Sequence, residues 1–456
     1  MLTLLPLLLT FFYLGPNSNF FLGALICAGL IAGCFCYLAL NKPEYCILSI
    51  LMALAFTDRQ LKFLSFSIYL INIVAMASFI HYFFNHPTGK KIFWFFAISV
   101  SSYCFLLMFI KPYSKPVPMA WIIFYMVQLA IFSWSMLIRW DTKKIMNIVV
   151  FHLIYLLAYG FIEKLALNPL RIGGPTTHAT NYAILLTFLW TMWFVEAFLS
   201  KKHSIPVLVL ASFLILFAVF LSGTRMGLVG IIIGLLGAFA TSIWIRNLHK
   251  SLVKRLAYVF SIFLIIIITI AVIWQFLPQD TFIIRAWNVL LSGNLDASAM
   301  GRLVAWASSL DSFSKHPVWG VGPGNFVQAN TEFIAKYVPL PAQNSIPELK
   351  HAHSIGLNVL AENGLVAFIM LLTIILVCYF QLAKFLIRNP RNSMGYMLLF
   401  GGIVIFCLPM IDMIPSPGWD SWYYGILASL GFHNNIPSPK QEDKFNVKPI
   451  GKHSEQ

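Results

Sequence analysis

Apolar runs about one membrane thickness long, parted by short polar connections, dominate this chain. They fall at 2–14, 20–40, 44–57, 63–84, 92–110, 118–138, 145–165, 179–199, 206–221, 226–244, 256–277, 356–380, 394–411 and 419–432. A spanning helix needs about 20 apolar residues, fewer when it packs inside a bundle. The pattern therefore predicts an all-α polytopic membrane protein. The first and third runs are short enough to be half-helices, so the expected number of transmembrane helices is about 12–14.

The polar connections give these helices a direction. "RNLHKSLVKR" at 246–255 is the most basic, followed by "KKHS" at 201–204, "RWDTKK" at 139–144 and the turn bearing Lys384, Arg388 and Arg391. Placed in the cytoplasm by the positive-inside rule, they put both termini inside as well. The connection 278–352 then faces outward, and a connection this long is uncommon without a function. It holds a predicted helix over 299–315 and the Gly/Pro turn "HPVWGVGPGNF". The expected organisation is an N-terminal transmembrane bundle (1–277), the loop with its short helices (278–352), C-terminal transmembrane helices (353–432) and a polar, disordered cytoplasmic tail (433–456). The apolar N-terminus lacks a basic leader region and a small-residue cleavage site, so it reads as a retained segment. No internal repeat of the transporter kind is visible.

Composition sharpens this picture. Of 456 residues, 59% are hydrophobic and only 10% charged, where a soluble protein carries roughly a quarter charged. Such a chain cannot coat a water-facing surface. Its net charge of +15, from 31 Lys+Arg against 16 Asp+Glu, reflects basic loops that set topology rather than a nucleic-acid partner. The seven cysteines all sit in apolar runs, as small buried hydrophobes do.

Several arginines fall on the outward side, against the statistical bias: Arg59 in "FTDRQLKF", Arg171 in "NPLRIGGPTTHATN", Arg225 in "LSGTRMGLVG" and Arg302 in "MGRLVAWASSLDSF". Snorkelling to headgroups or a local salt bridge would account for any one of them. Arg225 argues for more. Small neighbours (Ser222, Gly223, Thr224, Gly227) let the backbone approach a ligand, and an arginine at membrane depth is costly and usually functional. Its planar fork matches phosphate oxygens. Several such arginines beside one loop suggest a pyrophosphate clamp for a lipid diphosphate.

The segment "HAHSIGLNVLAENGLV" (351–366) places His351 and His353 where polar sequence meets an apolar run. On a helix, two residues apart means side chains about 200° apart, so only one of them could line a given pocket. A metal pair would favour i, i+4 spacing. A neutral histidine is a natural general base for a sugar hydroxyl, and a structural histidine is the plain alternative. There is no Walker-type phosphate loop, no nucleophile-elbow serine and no outward Asp pair to hold a divalent cation. No cofactor is implied.

In order and spacing, these pieces resemble the O-antigen ligase family, whose domain is shared with O-antigen polymerases and bacterial protein O-oligosaccharyltransferases. "LSGTR" is similar to its Thr/Ser-x-Arg turn between two helices. "GRLVAWASSLDSFSKHPVWGVGPGNF" resembles its Gly-Arg-x-x-x-Trp helix and Gly-rich turn. "HAHSIGLNVLAENGLV" resembles its His-x-His-Asn/Ser segment, with Gly364 ten residues after Ser354; Ala367 departs from the Gly, Thr or Tyr usual there.

The resemblance implies a GT-C-like bundle in the bacterial inner membrane. Such an enzyme moves a glycan from undecaprenyl diphosphate to a sugar hydroxyl of lipid A-core at the periplasmic face, without metal and with inversion. It implies His353 as base and Arg225 and Arg302 on the diphosphate. Arg59 and Arg171 are further substrate-binding candidates, His351 and Glu362 supporting ones. The expected partners are the lipid-linked donor, the lipid A-core acceptor and membrane lipid, with the enzyme a monomer or weak oligomer. A polymerase or a protein-directed transferase would use the same donor chemistry. A lipid-linked sugar transporter is the reading from another class, and it gives no reason for a base at His353.

Overall fold

The computed structural model describes residues 44, 47, 51, 119–167, 169, 171–173, 179–200, 203–246, 297–339, 351–411 and 419–432. The predicted runs 2–14, 20–40, 63–84, 92–110 and 256–277, most of 44–57, the tail 433–456 and Arg59 lie outside them. Within them the secondary structure is helical: α1 (Met119–Leu137), α2 (Thr142–Leu167), α3 (Ala179–Ser200), α4 (Ile205–Ser222), α5 (Arg225–Arg246), α6 (Ala297–Lys315), α7 (Phe326–Tyr337), α8 (Ile355–Arg388), α9 (Ser393–Ile411) and α10 (Trp419–Phe432). The apolar runs predicted over these residues coincide with α1–α5 and α8–α10. Among the described residues four helices, α2, α3, α5 and α8, are long and apolar enough to cross a membrane. The chain is a helical membrane protein.

The bundle is built around α3. Every residue from Tyr182 to Ala197 is buried, including Thr187, Thr191 and Glu196, because α2, α4, α5 and α9 pack around it. A helix that is apolar all round can be stable only in such a position or in lipid. Its closest partner is α5, which lays Gly227, Gly230 and Gly234 along it. A Cβ at these positions would meet Ala183, Thr187 and Trp190 at 3.0, 2.5 and 2.6 Å. Small residues at helix-helix contacts replace the hydrophobic drive that lipid removes. The seam fixes α5, and with it the turn at its N-terminus. By contrast α4 turns Val209, Leu210, Phe213 and Phe220 outward, and α8 does the same with Ile369, Met370, Leu376 and Phe380, as lipid-facing helices do.

The largest departure from the predicted pattern is inside α8. The run 356–380 reads as one helix, yet Gly364 stands at φ 72°, ψ −170° and breaks it. The Gly/Pro turn after α6 takes up the polar groups around the break. Val321 and Gly322 donate their N–H groups to the carbonyls of Ala361 and Glu362, each at 2.8 Å, and Leu365 N–H donates to Pro317 O at 2.8 Å. The contact is backbone on backbone. A Cβ on Gly320 would collide with the Glu362 carbonyl carbon, and one on Gly364 would collide with Val318 O. Only glycine tolerates the Gly364 conformation.

Helix α7 is absent from the pattern of long apolar runs. It is short and amphipathic, and it buries Phe326 and Ala329 beside α6 and α8. Together α6, α7 and the first part of α8 enclose a second small core of Ala305, Phe326, Ala352 and Ala361.

Gly364→Ala should lower the apparent Tm in detergent markedly, since strain of about 1–3 kcal/mol adds to the clash with Val318. An unchanged Tm would show that the break does not constrain the fold.

Candidate functional site

Two groups of the expected residues come together, at the N-terminal ends of α5 and α8. At the first, α4 ends in Gly223, left-handed at φ 62°, whose N–H donates to Phe220 O at 2.9 Å. Thr224 follows, and Arg225 is the first residue of α5. Arg171 reaches this turn from the segment after α2. Its Nε donates to Ser222 O at 2.9 Å, and its Nη2 donates to Gly223 O at 3.0 Å and Thr224 Oγ1 at 3.3 Å. Ile172 N–H adds a bond to Leu221 O at 3.3 Å. The Arg171 guanidinium therefore caps the last carbonyls of α4, where a cation also suits the helix dipole. Sequence placed Arg171 among substrate-binding candidates; the structure shows it holding the turn that presents Arg225. A cation at the first position of a helix, as Arg225 is, opposes that helix's own dipole. An anion there would meet the N–H groups of the first turn.

The second group lies ahead of α8. Ser354 is its N-cap, extended at φ −156°, and its side chain accepts from Leu357 N–H at 3.4 Å. His351 and His353 thus precede the helix, and the helical spacing that would hold them about 200° apart does not apply. Their ring centroids are 4.4 Å apart. The backbone makes this possible: among the described residues, His353 alone among non-glycines has positive φ, at 49°. Histidine is one of the few side chains tolerated there, at a cost. Both rings are half-buried, while Ala352 between them is buried against Ala305 of α6. Arg302 is half-buried on α6, one turn before Ala305.

Glu362, the eighth residue of α8, is 3% exposed. It faces the N-terminus of α7, where Oε1 accepts from Phe326 N–H at 3.4 Å, with the N–H of Gly324 beside it. Oε2 accepts from Asn358 Nδ2 at 3.3 Å, and Asn358 Oδ1 in turn accepts from Ala352 N–H at 3.1 Å. Sequence reasoning missed Asn358. Its i, i+4 spacing to Glu362 was the available signal, but the contact to Ala352 depends on how the chain enters α8.

These observations define a helical membrane protein with arginine- and histidine-bearing helix starts. The O-antigen ligase family model matches residues 210–372. Over that stretch the chain is similar to the O-antigen ligase domain, and the resemblance read from the motifs is borne out there. The matched stretch holds Arg225, Arg302, His351, His353 and Glu362; Arg59 and Arg171 fall outside it. No curated protein matches the chain.

Removing the cap should loosen the turn without unfolding the bundle. In Arg171→Ala, peptides spanning 218–226 should exchange amide hydrogen several-fold faster, with those from α3 unchanged. Equal exchange at 218–226 would mean the capping bonds contribute nothing to order there.

Proposed function

We propose that the protein is a glycosyltransferase that moves a glycan from undecaprenyl diphosphate to a sugar hydroxyl of lipid A-core. The reaction takes place without metal at the periplasmic face of the bacterial inner membrane. The observation that carries this reading is the strained left-handed backbone of His353, set at the start of α8 inside the matched domain. Strain of this kind persists where the surroundings over-determine it, and it gathers at active sites.

The sidedness is consistent. Helix α5 begins at Arg225 and ends at Arg246; α8 begins just after His353 and ends among Lys384 and Arg388. With the basic ends in the cytoplasm, both candidate residues lie at the opposite face. There 278–352 forms the periplasmic loop of a GT-C-like bundle, and both termini are cytoplasmic.

In the reaction, His353 takes the proton of the acceptor hydroxyl as its oxygen bonds to the anomeric carbon. The bond from that carbon to the diphosphate oxygen breaks, and undecaprenyl diphosphate leaves with the electron pair. Arg225 and Arg302 stabilise the charge that develops on it, as fixed cations do in a water-poor site. Attack opposite the leaving group inverts the anomeric centre.

The test uses purified protein with undecaprenyl-diphosphate-linked glycan and lipid A-core. Wild type should transfer glycan, and EDTA should leave the rate unchanged. Removal of the base in His353→Ala should cost about 10²- to 10⁴-fold, and Arg225→Ala about 10²- to 10³-fold. Donor consumption without a lipid A-core product would assign the acceptor to a growing glycan or a protein instead. Full activity in His353→Ala would remove it as base.

A further inference from the structure

We propose that Glu362 and Asn358 are positioning residues that hold the His353 backbone in its left-handed conformation through a hydrogen-bond relay of fixed polarity. The proposal rests on His353 acting in transfer, and it assigns Glu362 no contact with substrate.

The relay runs from the α7 N-terminus to the histidine segment. The relay ends on two backbone N–H groups, those of Phe326 and Ala352, and these only donate. At Oε1, Glu362 takes the N–H of Phe326, and at Oε2 that of Asn358 Nδ2. This fixes which way the Asn358 amide points: its nitrogen faces Glu362, and its oxygen faces the Ala352 N–H at 3.1 Å. Ala352 is the residue between the two histidines, and the bonded N–H lies in the peptide that joins it to His351, one residue ahead of His353. The chain ahead of His353 is therefore held by Asn358 at the His351–Ala352 peptide. The bonds after it are set by the Ser354 cap and by Asn358 N–H, which donates to Ser354 O at 2.9 Å. Asn358 touches the strained residue's neighbours on both sides.

Burial gives the relay its stiffness. Glu362 is 3% exposed, Ala352 and Ala361 are fully buried, and the Glu362 carbonyl is held by Gly322 N–H at 2.8 Å. Asn358, between Glu362 and Ala352, is half-buried, and at the buried Glu362 end a donor facing a donor is costly and must move. The Gly-rich turn, the helix break and the histidine segment are thereby joined through one residue, whose main chain serves the break and whose side chain serves the relay.

Polarity makes the relay testable with substitutions of nearly unchanged shape. In Glu362→Gln, the new Nε2 faces Asn358 Nδ2. If Asn358 turns its amide to accept, its nitrogen then opposes the Ala352 N–H. In Asn358→Asp, two carboxyl groups face each other, and they repel unless they share a proton. The double variant Glu362→Gln/Asn358→Asp restores a continuous chain. Its new amide nitrogen donates to the new carboxylate, whose other oxygen still accepts from Ala352 N–H.

Each variant is purified in detergent and checked for an unchanged elution profile. Transfer kinetics are measured beside the rate at which diethyl pyrocarbonate modifies the His353 imidazole, resolved from His351 by fragmentation mass spectrometry. Each single variant should lower kcat about 10- to 100-fold, the scale of a small misplacement, with donor KM within about 2-fold, and should shift the labelling rate at His353. The double variant should recover kcat to within about 3-fold of wild type and restore the labelling rate.

Wild-type kcat and labelling in Glu362→Gln would overturn the relay. So would a folded double variant as impaired as the singles. If wild type transfers no glycan, the glycosyltransfer reading fails. The labelling rates then decide the relay alone: shifted in the singles and restored in the double supports it, and unchanged in all three overturns it.

Discussion

A helix cannot be interrupted inside a buried region unless something else takes the polar groups it releases. In this protein the interruption at Gly364 is answered by the turn 316–325, which offers its N–H groups and a carbonyl to the main chain of α8. Side chains play no part in those hydrogen bonds, and Gly320 and Gly364 are there because nothing larger fits between the two backbones. The rest of the candidate site hangs on this joint. It fixes α6 and α7 against the start of α8 and stacks Ala305, Phe326, Ala352 and Ala361 into one small core. It also brings the α7 N-terminus to the carboxyl of Glu362.

The two helix starts are fixed in different ways. The α5 start is held from below by the small-residue seam on α3 and from the side by the Arg171 cap. The α8 start is held by a serine cap, an asparagine bridge and a buried carboxylate. Under the proposed reaction the first would meet a diphosphate and the second a hydroxyl. Rigid supports suit that division, because charge stabilisation and proton transfer both lose their effect when the groups shift by an ångström.

Much of this was legible in the chain. The apolar runs at 179–199, 206–221 and 226–244 give α3, α4 and α5 to within a few residues, because about 20 consecutive apolar residues have few other structures open to them. The motifs around Arg225, Arg302 and His353 pointed to the family whose model matches 210–372. They stood out because arginines and histidines at the ends of greasy segments need a reason to be there.

Other features depended on contacts between residues far apart in sequence. Arg171 is an outward arginine in sequence, and only the fold reveals that it is occupied by Ser222, Gly223 and Thr224, some fifty residues on. His351 and His353 would diverge on a helix; they meet because α8 begins only after them and His353 takes the left-handed conformation. Gly364 reads as a tolerable glycine in an apolar run until a partner backbone is seen at its side. The order of apolar and polar residues determined the helices, since those follow from local composition and the solvent. Which arginine caps α4, where α8 breaks and how the histidines are held were decided by the tertiary structure, because each depends on a hydrogen-bond partner that local sequence does not supply.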